Sequence, residues 1–154
     1  MKLAWLLWMA SVLPPQASDS LCLSTTLYLE ARDQPLLGQQ AVAEVALRRK
    51  DTGLWGDSVC SVVTARKQFA PTLVSPSTDL DNTEAWARAV TVALDAEHNW
   101  TLPVGKRREV VPGATHFAAL DIAQPSWRTG YQVRTIGDHT FFDLMATSRP
   151  PYRD

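Results

Sequence analysis

Membrane-length apolar runs, an excess of positive charge and metal-ligand spacings are all missing from this sequence, and each absence removes a class of function. The apolar stretch from Leu3 to Leu13 is eleven residues with Ser11 as its one polar member, short of the ~20 that a membrane span needs. Fifteen Lys and Arg against sixteen Asp and Glu leave a net charge of −1, so nothing provides the basic surface that neutralises a nucleic-acid backbone. Three histidines and two cysteines form neither an H-E-x-x-H motif nor a paired-cysteine spacing, so no metal or other cofactor is expected. There are no internal repeats and no low-complexity segments. What is present is 154 residues, 45% hydrophobic, with six tryptophans. That suffices for one domain with a real core and no more.

Residues 1–17 read differently from the rest. Lys2 precedes the apolar run, Pro14-Pro15 breaks it, and Pro15-Gln16-Ala17 ends on a small residue before Ser18. This is the pattern of a secretory signal peptide cleaved near Ala17, with an uncleaved signal anchor as the alternative. The run has no polar face, which argues against a helix of the folded core. Residues 18–154 then form the mature domain, exported to the periplasm or beyond the cell. Contact with the membrane is expected only in transit through the leader. Two cysteines in an exported chain suggest one bridge, Cys22 to Cys60. A pair of buried thiols is the alternative.

Along the mature chain, residues 20–32 read as a helix, and Pro35 opens a second with Val42, Val45 and Ala46 on its apolar face. Ala41 and Ala43 flank that face with small side chains. Glu44 and Arg48, four apart, are expected to face solvent as a pair of small weight. Residues 71–81 read as a loop. Asp81-Asn82-Thr83-Glu84 resembles a capping box, and the helix after it carries Trp86, Ala89, Val90, Ala93 and Leu94 on one face. Residues 99–112, with Lys106-Arg107-Arg108, read as a solvated excursion. The last third changes period, with a short strand within 114–119. Gly137-Asp138 then sits between residues 133–136 and 139–142 as a type II′ hairpin turn. Helices first and a small antiparallel element last make the fold class α+β.

One residue breaks the pattern of the first helix. Leu23, Leu27 and Glu30 fall on a single helical face, so an apolar stripe runs into a carboxylate. A carboxylate held against apolar side chains has its pKa raised, which suits a general acid at neutral pH. The plainer reading pairs Glu30 with Arg32 or Arg49 at the helix edge.

Around Glu30 stands an ordered set of motifs. Cys22-Leu23 is followed by Tyr28-Leu29-Glu30-Ala31-Arg32, and then by residues 38–47, Gly-Gln-Gln-Ala-Val-Ala-Glu-Val-Ala-Leu. Val59-Cys60-Ser61-Val62-Val63, Gln68-Phe69 and Gly113-Ala114-Thr115-His116-Phe117 come next. Pro125-Ser126-Trp127 and residues 136–142, Ile-Gly-Asp-His-Thr-Phe-Phe, close the series. The set resembles the SleB-type cell wall hydrolases, the family of spore-cortex-lytic enzymes, over roughly residues 22–142. The resemblance implies a lysozyme-like fold, mainly helical with a small β-hairpin element, and cleavage of the peptidoglycan glycan strand. It makes Glu30 the catalytic acid/base and matches both cysteines to family positions. It also brings Tyr28, Gln68, Phe69, His116, Trp127 and His139 to the substrate groove. For Phe69 simple burial is the competing role, for His116 structural hydrogen bonding, and for Trp127 burial as readily as stacking on a sugar.

The sequence departs from the family in several places. Asp33-Gln34 stands where Gly-Glu is common, Ala118 where a histidine is common, and Phe117 and Phe142 where tyrosines are common. Hydrolysis needs a second carboxylate, and Asp33, Asp121, Asp138 and Asp143 match no pattern comparable to Glu30. A lytic transglycosylase needs one acid/base only, and the resemblance implies that route. The competing functions are a peptidoglycan amidase or peptidase using His116 and His139 as metal ligands, and a glycan-binding module without catalysis. A monomer acting on glycan strands, without nucleic acid, is expected. Its setting is bacterial envelope remodelling or host lysis as a phage endolysin.

Overall fold

The computed structural model describes residues 1–146; the last eight residues of the expected domain lie outside them. Five α-helices precede a small sheet: α1 (Leu3–Val12), α2 (Pro15–Ala31), α3 (Leu36–Thr52), α4 (Val59–Val63) and α5 (Thr83–Trp100). The strands β1 (His116–Ala118), β2 (Tyr131–Ile136) and β3 (His139–Asp143) form an antiparallel sheet in the order β1-β3-β2. The result is the expected lysozyme-like α+β arrangement.

α3 is the central helix. Pro35 sets its start, where a missing N–H costs nothing. Gly53 ends it at φ 68°, a left-handed position that only glycine adopts freely. Val42, Val45 and Ala46 are fully buried, as the pattern predicts, and so are Ala41 and Ala43. The helix is enclosed on nearly all sides over its middle turns.

That enclosure overturns the solvent-side reading of Glu44 and Arg48. Both are buried. Glu44 accepts hydrogen bonds from the backbone N–H groups of Val110 and Val111, the second at 2.9 Å. Arg48 donates to the Ala114 carbonyl at 2.6 Å and to Glu109 at 2.7 Å. Two i,i+4 charges therefore act as anchors for a segment more than sixty residues away. Burial pushes the Glu44 pKa up, and the two backbone donors and Arg48 pull it back. The excursion over 99–112 is tied down in the same way: Arg107 lies over the Trp100 ring at 4.4 Å, and Trp100 donates to Asp51 at 2.7 Å.

α5 is capped by Asn82, whose side chain accepts from Ala85 N–H at 3.0 Å. Glu84 does not complete a box; it pairs with Arg88 at 3.2 Å. The buried face is also rotated from the expected one. Ala85, Ala89, Val92 and Ala93 are inside, while Leu94 is 52% exposed. The inner face is set by what α2 and α3 can accept at close approach, and small alanines fit where leucine does not.

The segment expected as a leader is helical. Leu3 and Leu6 of α1 are buried, against the expectation that a run without a polar face stays out of the core. Its opposite side leaves Trp5, Trp8 and Val12 exposed, so only one face of the run is accommodated. Leu3 N–H bonds to the Thr78 carbonyl, and Lys2 to Asp79 at 2.6 Å.

In the sheet, Ile136 pairs with His139 across Gly137-Asp138. Gly137 has φ 57°, and the backbone has no positive φ at Asp138, as a type II′ turn requires. β3 is central and buried at every position. One bridge, Cys22–Cys60, joins α2 to α4 with Cα atoms 5.2 Å apart across a sequence separation of 38. A closed loop of this length restricts the unfolded chain by about 4 kcal/mol in the chain-entropy model.

Intact mass of the unreduced protein should show a chain that takes up alkylating agent only after reduction. Replacing both cysteines by serine should lower stability by about 2–4 kcal/mol in urea melts. Two freely alkylated thiols without reductant would contradict the bridge.

Candidate active site

Glu30 occupies the last turn of α2, one residue before the helix ends at Ala31. Leu23 and Leu27 on the same face are fully buried, so the helix delivers Glu30 to the rim of the core, half-buried. Desolvation raises its pKa. Its place at a helix C-terminus acts in the same direction, since free carbonyls there repel negative charge. One donor opposes both: Ala70 N–H reaches Glu30 Oε1 at 2.6 Å. Burial prevails and the net shift is upward. The pairing with Arg32 or Arg49 does not occur. Arg32 lies over the Tyr28 ring at 5.0 Å, and Arg49 turns to the Thr115 carbonyl at 2.7 Å and to Gln68 at 3.0 Å.

The donor to Glu30 is held in place by Phe69. Its side chain is completely buried, against Phe117 at 5.9 Å and under Arg49 at 5.1 Å. The backbone at Phe69 is extended (φ −137°, ψ 162°) and enters a single 3₁₀ turn, Ala70–Thr72, so the first free N–H of that turn points at the carboxylate. Phe69 is therefore core and offers no face to a sugar; its effect on the site runs through its neighbour. Tyr28 is likewise buried, its hydroxyl accepting from Asn82 N–H at 3.2 Å. Gln68 is exposed and held by Arg49.

Glu30 opens into a cleft of about 450 Å³ between the end of α2 and the β2–β3 turn. Asp33, Gln34, Asp121, Asp138 and His139 share its lining. Gln34 joins the two walls: its Oε1 accepts from Asp138 N–H at 2.9 Å, and its Nε2 donates to Asp138 Oδ2 at 2.9 Å. A Cβ at Gly137 would fall 2.4 Å from Gln34 Oε1 and 2.9 Å from Pro35, so the turn needs glycine for space as well as for φ.

His139 is buried, its Nδ1 without a hydrogen-bond partner among the described residues. Its ring packs on Phe117 at 5.1 Å. Burial lowers its pKa, against the pull of Asp138 and Asp33. His116 lies on the other side of β1 from Phe117, since side chains alternate along a strand. It meets Trp127 at 4.9 Å, Trp55 at 5.7 Å and Thr115 Oγ1 at 3.0 Å. Burial and Arg49 hold its pKa at about 4. Trp127 is wedged between His116 and Phe142. His116 and Trp127 thus form a cluster beside the Glu30 cleft, whereas His139 lines the cleft itself. Among the described residues no group of three His, Cys, Asp or Glu side chains is disposed to hold a metal.

Two participants escaped the sequence reading: Gln34 as the latch to Asp138, and Arg49 as the tie between α3, Gln68 and the start of β1. The unusual Asp33-Gln34 pair was the available signal for the first. For Arg49 there was none, because its partners lie 19 and 66 positions away.

A raised pKa means that the folded state binds the Glu30 proton more tightly than the unfolded state. Stability from this group is complete below the ordinary glutamate range and is lost as pH rises through the folded value. Glu30→Gln, which keeps an acceptor for Ala70 N–H, should therefore raise Tm at pH 7–8 and give no gain near pH 3. A lower Tm for the variant at pH 8 would contradict the shift. Gln34→Glu should destabilise by setting two carboxylates together, and Asp138→Asn in the same chain should restore the bond. A double-mutant cycle should give a coupling of about 0.5–1 kcal/mol; additive losses would mean that the latch contributes nothing.

The cell wall hydrolase family model matches residues 33–142, starting just after Glu30. Spore cortex-lytic enzymes of Oceanobacillus iheyensis and Halalkalibacterium halodurans are each 30% identical over 129 residues, 80% of this chain. The chain spans 41% and 34% of those curated relatives. Among solved structures, the catalytic domain of the germination-specific lytic transglycosylase SleB from Bacillus anthracis superposes with a TM-score of 0.61 at 25% identity. The SleB catalytic domain of Bacillus cereus gives 0.63 at 28%. Each superposition covers 80% of this chain, and respectively 93% and 88% of the SleB domain. With its family match running from just past α2 into β3, and SleB catalytic domains as structural neighbours, the chain belongs to the cell wall hydrolase family of SleB type.

Proposed function

We propose that this protein cleaves the glycan strand of peptidoglycan at the bond between N-acetylmuramic acid and N-acetylglucosamine, as a lytic transglycosylase with Glu30 as the acid/base. The observation that carries the reading is the state of Glu30: half-buried, raised in pKa, fixed by one backbone N–H and open to a cleft. The family and the SleB neighbours point the same way.

The chemistry follows from that state. Protonated Glu30 gives its proton to the glycosidic oxygen as the bond from muramic C1 breaks, leaving the glucosamine 4-hydroxyl and positive charge at C1. Glu30, now a carboxylate, takes the proton of the muramic 6-hydroxyl, and that oxygen closes onto C1. The product is a 1,6-anhydro ring; no water is consumed and Glu30 ends protonated, as it began. Its environment supports both halves. Desolvation favours the neutral acid at the start, and Ala70 N–H steadies the anion between the two transfers. Gln68, His116, Trp127 and His139 remain our candidates for holding the strand, with Tyr28 and Phe69 acting from within the core. Export through residues 1–17 would bring the enzyme to the wall, in envelope remodelling or in phage-driven lysis.

Glu30→Gln should abolish lysis of purified peptidoglycan, with a rate loss of roughly 10²–10⁴-fold and an intact fold. Masses of the wild-type products test the reaction itself. Anhydro-muramic ends, lighter by one water than hydrolytic ends, are expected. Reducing ends without anhydro sugars would mean activation of a water, with Asp33 or Asp121 as its base. Free stem peptides from intact glycan would instead identify an amidase or peptidase. Binding without any product would leave only a glycan-binding module.

A further inference from the structure

The cleft is more acidic than single-acid chemistry requires. Besides Glu30 it is lined by Asp33, Asp121 and Asp138, with Arg32 as its one cation. Arg32 is turned back over the Tyr28 ring, and its Nη1 donates to the Tyr28 carbonyl at 3.4 Å. Asp138 is held by the neutral amide of Gln34. Asp121 makes no hydrogen bond or ion pair among the described residues. None of the three aspartates has a salt bridge among those residues. The negative charge of the cleft is therefore largely uncompensated.

A second feature sits in the same wall. His139 is 7% exposed, lines the cleft, and keeps a buried Nδ1 without a hydrogen-bond partner among the described residues. A buried polar atom left unpaired works against folding and is uncommon in native structures.

We infer that the cleft selects muramic acid whose lactyl carboxyl is capped as an amide, as on strands still bearing stem peptides, over denuded strands in which that carboxyl is free. The inference rests on the proposed glycan-cleaving reading. The lactyl group sits on the same sugar ring as the C1 that Glu30 serves, so its carboxyl stays within about one ring's width of the reacting carbon and enters the cleft that the aspartates line. Capped, it is a neutral amide; freed, it is an anion facing three others. Carboxylates further along a stem peptide sit on a flexible chain and can stay clear. The enzyme then acts before the amide hydrolysis that strips peptides from the wall, and the products of that reaction are its poor substrates.

The test compares initial release of anhydro-muramic ends from purified peptidoglycan and from the same material stripped by an amidase. Denuded strands should react more slowly, by roughly three- to tenfold at low salt, the range expected for one like charge across a partly solvated cleft. The deficit should shrink in 0.5 M salt, a concentration chosen to shorten the screening length. It should also shrink in the Asp33→Asn/Asp121→Asn chain, and when the free carboxyl is amidated with carbodiimide and ammonia. Equal rates on the two strands would overturn the inference. So would a deficit that survives both salt and chemical amidation, since the peptide itself would then be the recognised group. The salt and amidation arms use the unaltered protein, so they stand if the double variant fails to fold. No cleavage of either strand would instead sink the glycan-cleaving reading itself.

Discussion

The hydrogen bond from Ala70 N–H to Glu30 is the contact on which the cleft depends. Glu30 sits where a carboxylate is least welcome, at the carbonyl end of a helix and against buried leucines. Without a donor it would be free to swing out to water and lose its raised pKa. With two or three donors it would be pulled towards an ordinary or lowered value. One donor orients the group while leaving burial as the larger influence. Supplying a single N–H at that point takes a long chain of support. Phe69 must be buried to aim the turn, Arg49 must cover Phe69, and Thr115 and Gln68 must hold Arg49.

Seen this way, α3 serves the site although none of its residues lines the cleft. Three of its charged residues are spent internally: Glu44 and Arg48 fasten residues 109–114, and Arg49 fastens Gln68 and Thr115. Each puts its charge on backbone groups or on partners at the core's edge, so burial does not leave it uncompensated. Arg49 does this without a carboxylate partner among the described residues, and its pKa falls to about 10, still well above neutrality. The first residues of the sheet are thereby fixed to the central helix, and the β2–β3 turn meets the end of α2 at a defined height.

Local features carried much of this in the sequence. The stripe Leu23, Leu27, Glu30 is visible because helical periodicity alone puts the three together. Gly137-Asp138 is visible because a two-residue turn has few chemical solutions. Glu44 and Arg48 misled because an i,i+4 pair looks the same whether it meets water or backbone N–H groups from residues 110 and 111. α5 misled because Leu94 and Val92 both fit an apolar stripe, and only the neighbouring helices decide which is inside. Phe69 drew attention for its ring, whereas its contribution lies in the N–H that follows it. In each failure the deciding partner is distant in sequence, and a single-chain pattern carries no trace of it.

The Asp33-Gln34 departure shows how such distant pairs are coupled. Gln34 donates to one carboxylate oxygen of Asp138 while accepting from the same residue's N–H, a two-point match that needs an amide on one side and a carboxylate on the other. A glutamate at position 34, common in the family, keeps the acceptor and loses the donor. It would set carboxylate against carboxylate at the junction of the two cleft walls. The pair therefore works with an amide on one side and a carboxylate on the other, here as Gln with Asp. The same exchange bears on charge. With glutamine at 34, the cleft keeps the aspartate of the turn and adds no further anion beside it, which limits how far neighbouring negative charge holds Glu30 in its protonated form and opposes the carboxylate it must become between the two transfers.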